Sequence, residues 1–555
     1  MDSNKKLHKG IFFISLLFAT ILFHSIEFRV AAWNIDELIF ATGGQSILAG
    51  DSLYRDFGDN KPPLIYYTCA LIYNLSGKSY EGYLYLSKAI TIAVIFLTAL
   101  GLYFVGNSLG GPAIGMISGL LFAAYSICSQ GSEVLGGRTE MYATLMSVIS
   151  LYFFVKRDLS PKTIDIILCS IFQSLATLYN TRFGIIMAVY GLFILYKHGI
   201  KKESVKMVLA LSVPFVLLAA AVPTYYYFSG VYDYYTFWQS TIVKHYLGVL
   251  RLNMKFISAL MILLFFAGLM PMVFFAVCQV IVQWRGIRSE RATPEEPASG
   301  ENKAPFLSRI ASKAGRITRM FQWNQNSEVF IFLMMMLLME YLAFFTGGKP
   351  GLRYFYMMYI PLCLLTAQGF HALYRHVESF TVSKELAAMV KVLMVLFLAT
   401  SPFYFMAIHM NTQRPTIHES IKQYKGVVEY IQKNTSDRDK IYVWVNVTPI
   451  YIYSGRTMAT SMVYPAEFLC RYYYYSRISR KDITAWDIFL KQLMNEKPAL
   501  IVDDTDGFNT KKDAMLSHIF RDNYIEMRAA EMRSYIKDHY RLAETIDGFD
   551  IYKRI

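Results

Sequence analysis

Charge is scarce in this chain of 555 residues: Asp, Glu, Lys and Arg together make up only 17% of it. A soluble domain carries about 25%, and here the charges that exist are bunched. Cysteine is scarcer still. The six cysteines, Cys69, Cys128, Cys169, Cys278, Cys363 and Cys470, show no CxxC or Cys/His spacing. That argues against a disulfide framework and a zinc site; most lie in apolar runs, where a cysteine behaves as a small hydrophobe. Internal repeats are absent too, which counts against the repeated halves of many transporters.

Apolar residues are plentiful at 54%, with 16% aromatic and a mean hydropathy of +0.32. These values point to a polytopic α-helical membrane protein with a soluble portion attached. The net charge of +14 does not indicate nucleic acid. Much of the excess flanks apolar segments, as the positive-inside rule predicts, whereas a nucleic-acid protein carries a basic face on a soluble domain.

A spanning helix needs roughly 20 apolar residues. Residues 11–30 are the first candidate. Its apolar heart ends before His24, Glu27 and Arg29, so a cleaved signal peptide competes; the lack of a convincing small-residue cleavage site favours a retained anchor. Further spans are predicted at 83–106, 112–129, 140–156, 163–180, 183–197, 205–228, 256–282, 328–346, 354–373 and 387–408, about eleven in all. Lys156, Arg157 and Lys162 share a side with Lys197, Lys201 and Lys202. The 283–327 linker lies there too, with eight Lys/Arg against four Asp/Glu. All these loops become cytoplasmic if the N-terminus is inside. The 31–82 loop, the turns at Glu133 and Asn180–Arg182, the 229–255 loop, "GGKPGLRY" and everything after residue 409 then face outward.

Residues 1–409 therefore form the membrane domain and 410–555 an outward soluble α/β domain. "KIYVWVNV" and "PALIVDD" are predicted as buried strands, each preceded by an amphipathic helix, and "GFDIYKRI" as an edge strand. "SERATPEEPASGENKAP" has the composition of a flexible cytoplasmic linker.

The outward segments hold the chemistry-bearing residues. Asp36 and Glu37 follow the first span directly, either as solvated carboxylates or with one as a general base. "YRDFGDNKPPLIYY" brings Arg55, Asp56, Asp59 and Lys61 to the boundary after Tyr54. Pro62 and Pro63 then suit the start of an interfacial helix over "LIYYTCALIYNL". Lys61 either anchors at lipid phosphates or holds a substrate phosphate. Arg138 and Glu140 flank the next helix start, where Glu140 could be no more than a capping acid; Glu133 lies on the same surface. Arg182 and Arg353 are outward cations against the topological bias, so something anionic must compensate each. Lys244, His245 and Tyr246 mix cations with an aromatic belt. Glu37, adjacent to Asp36, cannot share its direction and is expected to cap the loop or tie it to a cation such as Arg55.

The Asp36-Glu37 pair, "ILAGDSLYRDFGDNKPPLIYY", "GGRTEMYATL", "ATLYNTRFG" and "GGKPGLRYFYMMYIPL" together resemble the GT-C membrane glycosyltransferases. The group in question is protein O-mannosyltransferase-like (family 39-like) and includes the aminoarabinose lipid A and rhizobial lipopolysaccharide-core transferases. The likeness covers roughly 1–410 and is strongest over 31–67. It implies inverting transfer of a monosaccharide from a polyprenyl-phosphate carrier to an acceptor hydroxyl at the outer face of a bacterial inner membrane. It implies catalytic roles for Asp36 and Glu140 and donor-phosphate contacts for Lys61 and Arg182 (where relatives often have Lys); Arg353, an outward cation, joins them as a donor-phosphate candidate by its charge. Glu37, Tyr54, Arg55, Asp56, Glu133, Arg138, Lys244, His245 and Tyr246 are the further candidate substrate contacts. The expected partners are the polyprenyl-phosphate sugar, a lipid-, glycan- or protein-linked acceptor and membrane lipids, with no nucleic acid. No cofactor or metal is indicated, although a divalent cation is compatible with the acids. The competing reading is a transporter or flippase of a lipid-linked saccharide.

Overall fold

In a computed structural model of the chain, the described residues are all except 1, 33–34, 129–136, 242–267, 292–324, 347–355, 381–382, 412, 445–446, 464–468, 470–484 and 505–522. Helix α1 (Asp2–His24) runs into a 3-10 turn (Ser25–Arg29), and α2 (Ile35–Leu48) and α3 (Leu64–Leu75) follow. The bundle continues with α4 (Tyr80–Gly110), α5 (Pro112–Tyr125), α6 (Thr139–Val155), α7 (Thr163–Tyr179), α8 (Ile185–His198) and α9 (Lys202–Phe228). A short α10 (Tyr232–Thr236) precedes α11 (Met270–Arg291), α12 (Gln325–Thr346), α13 (Tyr359–Phe380) and α14 (Lys384–Met410).

Among the described residues four stretches are long and apolar enough to cross a membrane: Gly10–Arg29, Tyr80–Gly110, Lys202–Phe228 and Lys384–Met410. Several shorter apolar helices pack with them, as expected of an integral membrane protein. At about 1.5 Å per residue, the 31 residues of α4 reach roughly 46 Å, more than the ~30 Å of a hydrocarbon core. The helix is therefore longer than a straight crossing needs. Pro63 leads into α3 as the paired prolines predict, and that helix keeps one exposed face (Tyr67, Leu71, Leu75).

The C-terminal part is α/β. It contains α15 (Ile417–Gln423), α16 (Lys425–Asn434), β1 (Lys440–Val443), α17 (Pro449–Ser454), β2 (Thr457–Met458), α18 (Ala485–Glu496), β3 (Leu500–Asp504), α19 (Asn523–His539), β4 (Tyr540–Ile546) and β5 (Phe549–Arg554). The sheet order is β2-β1-β3-β5-β4, parallel across the first three strands and antiparallel from β3 onward. The last strand, expected at an edge, is interior. It forms a tight hairpin with β4 around Asp547 and Gly548, both at positive φ, and that pairing carries β5 inward beside β3. The amphipathic stretch before β1 is two helices, broken at Tyr424.

This sheet domain sits on the loop that joins α2 to α3. Gly58 N–H donates to the Ser461 carbonyl (2.9 Å) and Ala31 N–H to that of Pro415 (3.1 Å). Gln492 Nε2 donates to the Arg55 carbonyl (2.6 Å), and Lys440 pairs with Asp51 at 3.5 Å. Gly58 has to be glycine: a Cβ there would lie 2.1 Å from the Trp238 ring.

Candidate active site

The first turn of α2 carries both acids found by sequence, and they part company there. Asp36 is half-buried, whereas Glu37 is buried and forms an ion pair with Lys88 of α4 at 3.0 Å, Lys88 being 2% and Glu37 9% exposed at the side chain. Glu37 is thus tied to Lys88 and not to Arg55. Arg55 instead pairs with its neighbour Asp56 (2.8 Å) on the exposed side of the loop, because one residue of separation leaves that partner nearest. The Glu37–Lys88 pair lies beneath Gly137, at φ 59°, whose Cβ would come 3.6 Å from Glu37 Cγ. Arg138 follows, fully buried, and Glu27 of the first 3-10 turn lies within electrostatic reach of Lys88, Glu37 and Arg138. Neither Glu27 carboxylate oxygen has a hydrogen-bond partner.

Helix α6 starts at Thr139 without a side-chain cap. Glu140 does not cap it: Oε2 accepts from Thr139 Oγ1 (3.0 Å) and Oε1 from Asn180 Nδ2 (3.1 Å). Asn180 also caps the turn that holds Arg182, accepting from the Arg182 backbone N–H at 3.2 Å. One amide therefore links the acid of α6 to the segment of Arg182, and Arg182 itself is half-buried. Tyr179, just before it, stacks on Tyr142 (5.2 Å) and hydrogen-bonds Thr68 of α3 (2.8 Å).

The third arm is the 54–61 loop. Tyr54 adopts φ 74°, a conformation that costs a non-glycine residue about 1–3 kcal/mol and persists only when its surroundings hold it. Here its backbone carbonyl accepts from Trp238 Nε1 (3.0 Å), and its hydroxyl donates to the Lys61 carbonyl (2.8 Å). Gln239 donates to that same carbonyl at 2.9 Å. Tyr54 is fully buried between Tyr226 and Tyr235, so it braces Lys61 from behind. Asp59 is buried, accepting from Tyr66 Oη (2.6 Å) and from Asn60 N–H (2.6 Å). Burial pushes its carboxyl up to about 6, against the pull of Lys61, Tyr66 and Asn60, and the charge of Asp36 adds to the rise. Asp36, Asp59 and Lys61 thus share one electrostatic neighbourhood.

The arrangement brings Asp36, Glu37, Arg138 and Glu140 together at one end of the bundle, with Lys61 and Arg182 on the adjoining loops. Tyr54 is turned to support, and the Arg55–Asp56 segment meets the sheet domain through the Arg55 carbonyl while the Arg55 side chain stays exposed. Glu133, Lys244, His245, Tyr246 and Arg353 fall outside the described residues, as do Cys470 and most of the 283–327 linker. Among the described residues no group of three or more His, Cys, Asp or Glu is placed to hold a metal ion. Sequence reasoning missed Glu27, Lys88, Asn180 and Tyr66 as parts of the site. Lys88 had a readable signal, since a lone ionisable residue inside an apolar helix calls for a partner.

Comparison with solved structures bears on the fold. The chain superposes over 100% of its length on 75% of the Archaeoglobus fulgidus oligosaccharyltransferase tethered to an acceptor peptide, with 11% identity and a TM-score of 0.53. The oligosaccharyltransferase AglB of that organism, solved with an inhibitory peptide and a dolichol-phosphate, matches over 99% of this chain and 74% of its own, with 13% identity and a TM-score of 0.50. The fold is that of the GT-C group. ArnT from Cupriavidus metallidurans bound to undecaprenyl phosphate superposes with a TM-score of 0.48 at 11% identity, over 98% of each chain. No family model and no curated protein matches the sequence. At these identities the GT-C likeness speaks for architecture, and the chemistry has to be argued from the residues.

Proposed function

We propose that the chain is a membrane glycosyltransferase that moves a monosaccharide from a polyprenyl-phosphate carrier to an acceptor hydroxyl at the outward face, with inversion. The observation that carries the reading is the cluster on the GT-C fold. Asp36 stands beside the buried Glu37–Lys88 pair and shares an electrostatic neighbourhood with Asp59 and Lys61, and Asn180 ties the acid Glu140 to the turn of Arg182. One of the GT-C structures holds a dolichol-phosphate and another an acceptor peptide, which supports a lipid-phosphate donor and a separate acceptor here.

In this reading Asp36 takes the proton of the acceptor hydroxyl while its oxygen attacks the anomeric carbon. The bond from that carbon to the phosphate oxygen breaks on the opposite side, and the carrier leaves as its phosphate. Lys61 and Arg182, with Arg353, receive the charge that develops there. A phosphate ester is already a good leaving group, so the acid–base pair of a glycosidase is not required. Glu140, fixed by Asn180 and Thr139, positions the acceptor. Residues 1–409 form the transferase domain and 410–555 an outward domain that roofs its loop. The acceptor class, whether lipid A or core saccharide, envelope glycan or protein, stays open.

The transporter reading draws on Glu340, buried in α12 with neither carboxylate oxygen hydrogen-bonded. One experiment separates the two. Purified protein is given a panel of polyprenyl-phosphate sugars with envelope acceptors, and the carriers are followed by mass spectrometry. A transferase releases sugar-free polyprenyl phosphate; a transporter leaves every carrier chemically intact, and that result would sink the proposal.

A further inference from the structure

At the far end of the bundle from Asp36, α4 stops at Gly110 and α5 begins at Pro112. The ends of α11, α12 and α13 close around that turn and leave a cavity of about 520 Å³. Ligand pockets typically run from about 300 to 1,000 Å³, so the space suits a small molecule or a headgroup. One wall is apolar, made by Leu109, Ile114 and Val329. The other is formed by Gln279 and Gln283 of α11 and by Gln368, His371, Arg375 and His376 of α13.

The spacing explains the polar wall. Steps of three and four residues put 368, 371 and 375 on one face of α13, and 279 and 283 on one face of α11. The two helices are clamped just deeper. A Cβ on Gly369 would lie 1.9 Å from the Phe275 carbonyl oxygen, Thr366 Oγ1 donates to the Met272 carbonyl (2.9 Å), and Gln279 Nε2 donates to Gln368 Oε1 (3.2 Å). The gap is therefore held by close helix packing. Its charge is of one sign. No Asp or Glu is among the described lining residues, and Glu328, next to Val329, is paired with Lys197 at 2.9 Å. His371 and Arg375 lie within electrostatic reach of each other on this wall, so an anion placed there would meet the guanidinium and an imidazole together. A planar guanidinium flanked by imidazoles and amides matches phosphate oxygens, and the apolar wall can take a chain attached to them.

We propose that this cavity is an anion site that takes a phosphate group, either the headgroup of an anionic phospholipid or a soluble phosphate. Basic-loop alternation puts it at the cytoplasmic end, where anionic lipid is found. None of its residues belongs to the Asp36 cluster, so the proposal stands apart from the transfer reaction.

The full chain, purified in detergent, would be incubated with phosphatidylglycerol or phosphatidylcholine and its retained lipid counted by native mass spectrometry. Thermal unfolding would be followed in parallel with inorganic phosphate against chloride at equal ionic strength. Variants Arg375→Glu and Arg375→Lys accompany the wild type. Arg375 is exposed, and the conservative variant reports separately on folding. Preferential retention of phosphatidylglycerol that falls roughly tenfold in Arg375→Glu and is largely kept in Arg375→Lys supports the site with a lipid source. Stabilisation by inorganic phosphate that vanishes in Arg375→Glu, without lipid preference, supports it with a soluble source. Neither effect in the wild type, or equal effects in wild type and Arg375→Glu, would overturn the proposal.

Discussion

Asp36 and Glu37 are neighbours in the chain, and Glu37 turns inward to an ion pair with Lys88 at 3.0 Å while Asp36 stays half-buried. If Asp36 is the base, Asp36→Asn should lower transfer by about 10²–10⁴-fold, the usual contribution of general acid–base catalysis, with its melting temperature unchanged. Glu37→Gln should show the reverse emphasis, because it leaves Lys88 uncompensated. Rates and thermal melts on the same two preparations decide it, and a wild-type rate in Asp36→Asn defeats the assignment. Asp59 adds a pH dependence. Its carboxyl rises from 3.8 to about 6 through burial, so the folded state holds the proton more tightly than the unfolded chain. The stability contribution is full below about pH 4 and is lost as pH climbs through 6, a change of up to about 3 kcal/mol. Wild-type protein should therefore lose stability between pH 4 and 7 relative to Asp59→Asn, in which the titrating group is gone. Parallel slopes for the two proteins across that range would show that Asp59 is not the group responsible.

At the scale of elements, α4 is the post on which the site is hung. Its first turns touch the sheet domain through Tyr80, whose ring centroid lies 4.0 Å from that of Tyr453, and its third turn supplies Lys88. Removing one partner of a buried pair strands the other charge, at a cost of about 3–5 kcal/mol. Lys88→Met should thus destabilise by that order, since Glu27 and Glu37 would both face the loss, and Lys88→Met combined with Glu37→Gln should recover part of it. Equal melting temperatures for Lys88→Met and wild type would refute this. The apolar helices were legible in sequence because about 20 apolar residues have few other destinations, and Lys61-Pro62-Pro63 marked the start of α3. Asp36, Glu140, Lys61 and Arg182 stood out because charge is rare on that face. What stayed hidden depends on contacts distant in sequence. Lys88 meets Glu37 across 51 positions and Asn180 meets Glu140 across 40. The inward place of β5 is set by its pairing with β3, which no local pattern within "GFDIYKRI" encodes.

For the whole molecule, the contacts between the sheet domain and the 51–58 loop fix a relation that topology experiments can use. Gln492 to the Arg55 carbonyl, Lys440 to Asp51 and Gly58 to Ser461 cannot form across a bilayer, so the C-terminal domain and the Asp36 cluster lie on one side of the membrane. On our proposal the basic loops at 156–162, 197–202 and 283–327 lie on the other, cytoplasmic side, as the positive-inside rule expects. A reporter fused after Ile555 should accordingly behave as exported. Arg55, 47% exposed at the side chain, offers a second and independent reading. In a background with Cys278→Ser and Cys470→Ser, Arg55→Cys should react with a membrane-impermeant thiol reagent added to intact cells, whereas the native Cys69, Cys128, Cys169 and Cys363 are buried and should stay silent. Both positions on the cytoplasmic side would mean a span miscounted by one and would turn the cluster away from an outward acceptor. An exported reporter with an unlabelled Arg55→Cys would separate the loop from the domain and contradict the docking. Export together with labelling is the outcome that an outward-facing transfer reaction requires.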